Sequence, residues 1–180
     1  NYYFLEDGTI EITDCSDSAV TVDIPSEING TAVTSIGYMA FFNCCSLTEV
    51  TIPDSITNVE GSAFQNCEAL NSITIPDSIT SISDDMFFAC NSLTEITIPD
   101  SVTSIGNRAF SNCASLASVT IPASVTSIGG GAFYTCPSLT EIYIPSSVSS
   151  IERSAFKNCQ SLTGINVDSG NQYYSSVEGV

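Results

Sequence analysis

Leu47-Thr-Glu-Val50-Thr-Ile52-Pro53-Asp-Ser-Ile56-Thr-Asn-Val59-Glu-Gly-Ser-Ala63-Phe64-Gln-Asn-Cys67 is one unit of a repeat. The dipeptide Ile-Pro returns at Ile52, Ile75, Ile98, Ile121 and Ile144, always 23 residues on. Cys44, Cys67, Cys90, Cys113, Cys136 and Cys159 keep the same period. So do Leu47, Leu70, Leu93, Leu116, Leu139 and Leu162, and the aromatic series Phe41, Phe64, Phe87, Phe110, Phe133 and Phe156. Four columns in phase, three over six copies and one over five, identify a stacked repeat architecture.

Each segment of the unit has a physical reading. Val50 and Ile52 alternate with Glu49 and Thr51, the period of a half-buried strand. Pro53 has no N–H to donate, so the strand ends there. Ile56 and Val59 turn a second apolar side inward. Residues 62–66, around Ala63 and Phe64, predict a single short helical or 3₁₀ turn. Asn43, Asn66, Asn112 and Asn158, each before a cysteine, suit the left-handed conformation that closes such a turn. One unit of this size cannot enclose its own apolar face. Stacking units at the strand spacing of about 4.8 Å joins the Leu, Val/Ile, Ala, Phe and Cys columns into one core. The expectation is a right-handed repeat solenoid, a β/α coil of six rungs with short parallel concave strands and short helical turns.

The ends depart from the unit. Residues 1–33 read as N-terminal cap strands and the segment leading into the first repeat, with two or three strands suggested by alternation in 2–5, 8–13 and 19–24. Five extra residues between Pro25 and Val33 include Asn29-Gly30, a turn signal. Residues 34–167 read as the solenoid. Residues 168–180 are polar and Gly-rich and read as the start of a further repeat, cut short. The chain begins at Asn1 without a start methionine or signal peptide, so a processed piece that continues beyond Val180 is expected.

Composition narrows function. The 180 residues suit one domain; 43% are apolar and mean hydropathy is +0.23, which excludes wholesale disorder. Twenty acidic residues face three basic ones, Arg108, Arg153 and Lys157, for a net charge of −17. That field disfavours nucleic acid and anionic membrane surfaces as partners. No apolar run approaches a membrane span, so no membrane insertion is expected. A monomer is expected. Histidine is absent, which removes the usual general base and every Ser-His or Cys-His nucleophile pair.

The repeat resembles the BspA-like (treponemal-type) leucine-rich repeats. Cys113-Ala-Ser-Leu116-Ala-Ser-Val119-Thr-Ile121-Pro122-Ala-Ser-Val125-Thr-Ser-Ile128-Gly129 is close to that family's consensus. Gly8-Thr-Ile10 and the run from Ile24 to Gly37 resemble its leading segment, extra residues included, and 166–180 resembles its longer repeat variant. The resemblance implies a leucine-rich-repeat fold and a non-catalytic protein, secreted or at the cell surface of a microbe. It also implies adhesion to a host or matrix protein or glycan. A purely structural spacer arm carrying other domains is the alternative.

The concave strand face is the candidate partner-binding surface, because solenoids commonly bind there. Its outward columns are Thr51, Thr74, Thr97, Thr120, Tyr143 and Asn166, and Glu49, Ser72, Glu95, Ser118, Glu141 and Gly164. The chosen contact residues are Glu49, Thr51, Thr74, Glu95, Thr97, Thr120, Glu141 and Tyr143. Tyr143, the one aromatic in its column, is preferred because exposed tyrosine is favoured at interfaces. Thr is also simply a good strand former.

Other clusters point less far. The cysteine column reads as buried free thiols packing as small apolar groups; a cross-rung disulfide or a metal site are the alternatives. Cys45 is expected to point away from the core, with a Cys15–Cys45 bridge as an open alternative. Asp54, Asp77 and Asp100 stack after prolines and read as turn chemistry, with calcium as the alternative. Asp84-Asp85 reads as a solvated loop. Glu49 and Glu95, two rungs apart, lie on an open sheet that neither raises a pKa nor excludes water, so glycosidase work is not expected. No cofactor or metal is assigned. Asn29-Gly30-Thr31 fits an N-glycosylation acceptor if the source is eukaryotic.

Overall fold

The computed structural model describes residues 1–176; the last four residues of the expected further repeat lie outside the described residues. The chain winds as a three-sided coil with a hydrogen-bonded ladder on each side. The concave side carries seven short strands, from Thr21–Asp23 and Glu49–Thr51 through Glu141–Ile144 and Gly164–Val167. Paired strands are parallel and in register: Val22 faces Val50, Ile96 faces Val119, and Ile142 faces Ile165. The count is seven rather than six because Thr21–Asp23, expected in the cap, pairs with Glu49–Thr51 as a full concave strand. The offset there is 28 residues. The five extra residues fold away as a hairpin, Glu27–Ile28 against Thr31–Ala32, with Asn29 and Gly30 both at positive φ.

A second parallel ladder follows each Ile-Pro turn. Ser81–Ile82, Ser104–Ile105, Ser127–Ile128 and Ser150–Ile151 pair in order. Near the N-terminus Ile10–Ile12, Thr31–Ile36 and Asn58–Val59 form the same side, and Tyr2–Phe4 closes it antiparallel.

The third side overturns the expected helical turn: no helix forms among the described residues. Backbone N–H groups there alternate between two tasks. Met39, Phe41 and Asn43 donate to Gly61, Ala63 and Gln65 of the next rung, whereas Phe42 and Cys44 donate three residues back. The pattern repeats in later rungs, for example Arg108, Phe110 and Asn112 to Gly130, Ala132 and Tyr134. A helix needs consecutive right-handed residues, but two positions per rung are left-handed. One is the residue before cysteine, as expected: Asn43, Asn66, Asn112 and Asn158 have φ of 60, 60, 61 and 64°. Ala89 and Thr135 adopt the same conformation at 57 and 56°. The other lies four residues earlier, at Met39, Ser62, Asp85, Arg108, Gly131 and Ser154.

Inside, the columns stack as continuous rows. Successive rings from Phe41 to Phe156 lie parallel within 7–17°, with centroids 5.0–5.6 Å apart. Phe64 through Phe133 are wholly buried and Phe156 is half-buried at the end of the stack. From Cys67 onward each thiol of the column donates to the phenylalanine carbonyl of the preceding rung: Cys67 to Phe41, Cys90 to Phe64, Cys113 to Phe87, Cys136 to Phe110 and Cys159 to Phe133, at 3.1–3.2 Å. The residue must be small and apolar yet carry a donor, and cysteine meets all three requirements. In the middle of the column burial first pushes the thiol up, at Cys113 to about 12 and at Cys90 well above its ordinary value. Gly106 and Gly129 have a packing reason: an added Cβ would lie 2.5 Å from Asp84 Oδ1 and 2.6 Å from Asn107 N respectively.

Candidate binding face

Strand alternation aims the expected residues outward. Glu49 and Thr51, Glu95 and Thr97, and Glu141 and Tyr143 are exposed, each pair flanking a buried Val50, Ile96 or Ile142. Thr74 and Thr120 are exposed in their rungs. The concave ladder is not continuous. It runs unbroken through Thr21–Asp23, Glu49–Thr51 and Ser72–Ile73, then lapses before Glu95–Thr97 and again between Ser118–Thr120 and Glu141–Ile144.

A shallow cleft coincides with each lapse. The first brings together Thr74, Glu95 and Thr97 with Ser72, Asp77 and Pro99. The second gathers Thr120, Glu141 and Tyr143 with Ser118 and Asn166. Six of the eight expected residues therefore share two adjoining clefts; Glu49 and Thr51 lie outside both, on the unbroken part of the sheet.

Tyr143 is 49% exposed, yet its hydroxyl donates to Asp168 Oδ2 of the next rung. That bond holds the Tyr143 hydroxyl above its ordinary value and, with the Gly170 N–H, holds Asp168 below. Asp168 was not among the expected residues. It occupies the column of Pro145, and its N–H donates to Ile144 O, which proline cannot do. Departure from the Pro column was the sequence signal.

The cations stand elsewhere. Arg108, Arg153 and Lys157 all lie in third-side turns, and Arg108 pairs with Asp85 at 2.8 Å while its guanidinium lies 5.7 Å from the Phe88 ring centre. Asp84 accepts from Asn107 N at 2.6 Å, so the Asp84-Asp85 pair is bound by the next rung rather than simply solvated. Glu49, Glu95 and Glu141 therefore share the concave face with no basic side chain.

Among the described residues no group of three or more Cys, Asp or Glu side chains comes together as a cation site. Asp54 and Asp77 sit in tight turns, closed by Ile56 N to Pro53 O and Ile79 N to Pro76 O. Cys45 is exposed, as expected, and its thiol donates to Asn66 O at 3.6 Å.

A sequence signature described as a BspA type leucine rich repeat region, in six copies, matches residues 15–129. Among solved structures, the chain is similar to a Treponema pallidum leucine rich repeat protein at 34% identity and a TM-score of 0.87, over 92% of this chain and 78% of that one. It is similar to a leucine-rich repeat protein of Bacteroides ovatus at 31% identity and 0.70, over 97% of this chain and 52% of that one. The pneumococcal vaccine antigen PcpA shares the fold at 24% identity and 0.76, over 99% of this chain and 50% of that one. The chain thus spans about half the length of the latter two. No curated protein matches its sequence.

Proposed function

The chain belongs to the BspA-type leucine-rich-repeat family, and from that premise we propose that it is a non-catalytic binding module, secreted or at a microbial cell surface, that holds a protein or glycan partner on its concave face. The observation that carries this reading is the pair of uncovered clefts, where six outward side chains of the strand columns converge. The face offers hydroxyls, carboxylates and one aromatic ring. Hydroxyls and an exposed tyrosine suit hydrogen bonding and stacking at an interface. Carboxylates without neighbouring cations favour a basic protein surface or an uncharged glycan over a sulfated one, since like charges repel across an interface. Nothing in the clefts excludes water or pairs two carboxyls of opposed environment, as general acid–base work requires.

The test is capture of purified extracellular-matrix proteins and of neutral and sulfated glycans by the immobilised chain. Tyr143→Ala and Thr97→Arg are expected to weaken capture about tenfold or more, the loss of roughly 1.4 kcal/mol at a hot spot. Both keep the buried columns, so their thermal midpoints should stay near that of the parent. Equal capture by parent and variants would remove the concave face from the site. Failure to capture any ligand would favour a rigid spacer arm.

A further inference from the structure

Cys44 opens the thiol column and differs from every later member. The others reach a phenylalanine carbonyl at 3.1–3.2 Å. One turn before Cys44 the 28-residue offset places Ser16, and Cys44 Sγ lies 3.9 Å from Ser16 O. Cys15 Sγ lies 3.7 Å from that same oxygen. Two thiols thus converge on one carbonyl, each at the long limit of a sulfur hydrogen bond. Cys44 is buried, whereas Cys15 is half-buried at the rim of the core and accessible to a small reagent. The Cys44 thiol is pushed up to about 12, by burial first and by the adjacent Cys15 next. In the structure all eight cysteines are thiols.

We propose that Cys15 and Cys44 are an oxidisable pair, forming a disulfide that fastens the N-terminal segment to the first 23-residue rung when the chain meets a low-molecular-weight disulfide such as oxidised glutathione. Cys15 loses its proton to solvent, and its thiolate attacks one sulfur of the reagent. A mixed disulfide forms and one glutathione thiolate leaves. The Cys44 thiolate then attacks the Cys15 sulfur, making the Cys15–Cys44 bond and expelling the second glutathione. Two protein thiols are oxidised and one external disulfide is reduced to two thiols. The second step needs a buried thiol to ionise, so the rate rises about tenfold per pH unit near neutrality. The bond closes a loop of roughly 30 residues, long enough to restrict the unfolded chain appreciably. It ties down the segment that carries Tyr2–Phe4, an exposed edge strand whose one strand partner among the described residues is Ile10–Ile12.

The test incubates the intact chain with oxidised glutathione at about pH 8, traps remaining thiols by alkylation under acid quench, and maps linked peptides by mass spectrometry. A Cys15–Cys44 peptide, faster formation at higher pH, and slower proteolytic loss of the N-terminal segment are expected. Cys45→Ser should form the same bond, and Cys15→Ser should lose both the bond and the protection. Persistence of Cys15 as a glutathione adduct, linkage of Cys15 to Cys45, a bond confined to Cys136 and Cys159, or survival of all eight thiols would each overturn the proposal.

Discussion

Replacing Phe110 with alanine removes the middle of a stack whose neighbours are fully specified. Phe110 is wholly buried, with Phe87 at 5.4 Å and 11° on one side and Phe133 at 5.3 Å and 10° on the other. Truncating a buried phenylalanine costs ~3–5 kcal/mol, and two lost ring contacts of about 0.5–1.5 kcal/mol each place this site at the upper end. Phe156 is the control within the same column. It is half-buried and has one ring neighbour, Phe133 at 5.6 Å, so about 2 kcal/mol is expected there. Rungs contact only their neighbours, so an interior loss uncouples both flanks while an end loss frays one. Equilibrium urea unfolding followed by circular dichroism measures both. Phe110→Leu supplies a folded reference, at about 1–2 kcal/mol, should the alanine variant be too unstable. A cost below about 1 kcal/mol for Phe110→Ala, or equal costs at the two positions, would refute the stacked-column account.

Three further substitutions or conditions probe other parts of the coil. Ser101 Oγ donates to Ile79 O at 2.6 Å, whereas Ser55 Oγ, first in the same column, is buried without a partner. Ser101→Ala should therefore cost about 1 kcal/mol and Ser55→Ala should gain about as much, a difference in sign readable by urea titration. Thr135 holds a left-handed φ of 56° that a β-branched residue adopts poorly. Thr135→Asn should raise stability by about 1 kcal/mol and Asn112→Thr lower it similarly, with no gain from the former counting against strain. The folded pKa of Cys113 lies above its unfolded value, at about 12 against 9.0, so its contribution is intact below pH 9 and drains away as pH climbs toward 12. At pH 10 that one thiol should withdraw about 1.4 kcal/mol, which Cys113→Ala would abolish; an unchanged alkaline profile in that variant would show that another group is responsible.

The interior was legible because identity at a fixed period names the inward positions directly: Phe64, Cys67, Leu70 and Ile75 need no further information to be stacked. Thr21–Asp23 escaped because the Asn29-Gly30 hairpin lengthens its turn to 28 residues, out of phase with the columns. The turn conformation escaped for a different reason. One left-handed position carries asparagine in most rungs and could be recognised, but the other carries Met39, Ser62, Asp85, Arg108, Gly131 and Ser154, with no common chemistry. Its geometry is set by hydrogen bonds to the next rung, which no single unit reveals. On the concave face, alternation was enough to place Thr74, Thr97 and Tyr143 outward. The clefts were not readable, since they follow from where the ladder lapses, and the strand residues flanking each lapse repeat the same Ser and Glu pattern.

Those lapses bear on how the coil divides its labour. Rungs are kept in register by the third-side ladder, by the Ile-centred second ladder, and by phenylalanine and cysteine rows that cross every rung. The concave ladder is missing between Ser72–Ile73 and Glu95–Thr97 and between Ser118–Thr120 and Glu141–Ile144, and the coil stays in register across both gaps. Outward residues at the gaps are therefore exposed side chains on strands that the ladder does not join directly. Substituting them changes what the face presents while leaving the stacked interior and two of three ladders untouched. A scaffold that keeps its stability away from one face leaves that face free to vary with its partner, and Thr97→Arg should cost under about 0.5 kcal/mol of folding stability, the ordinary scale of an exposed substitution.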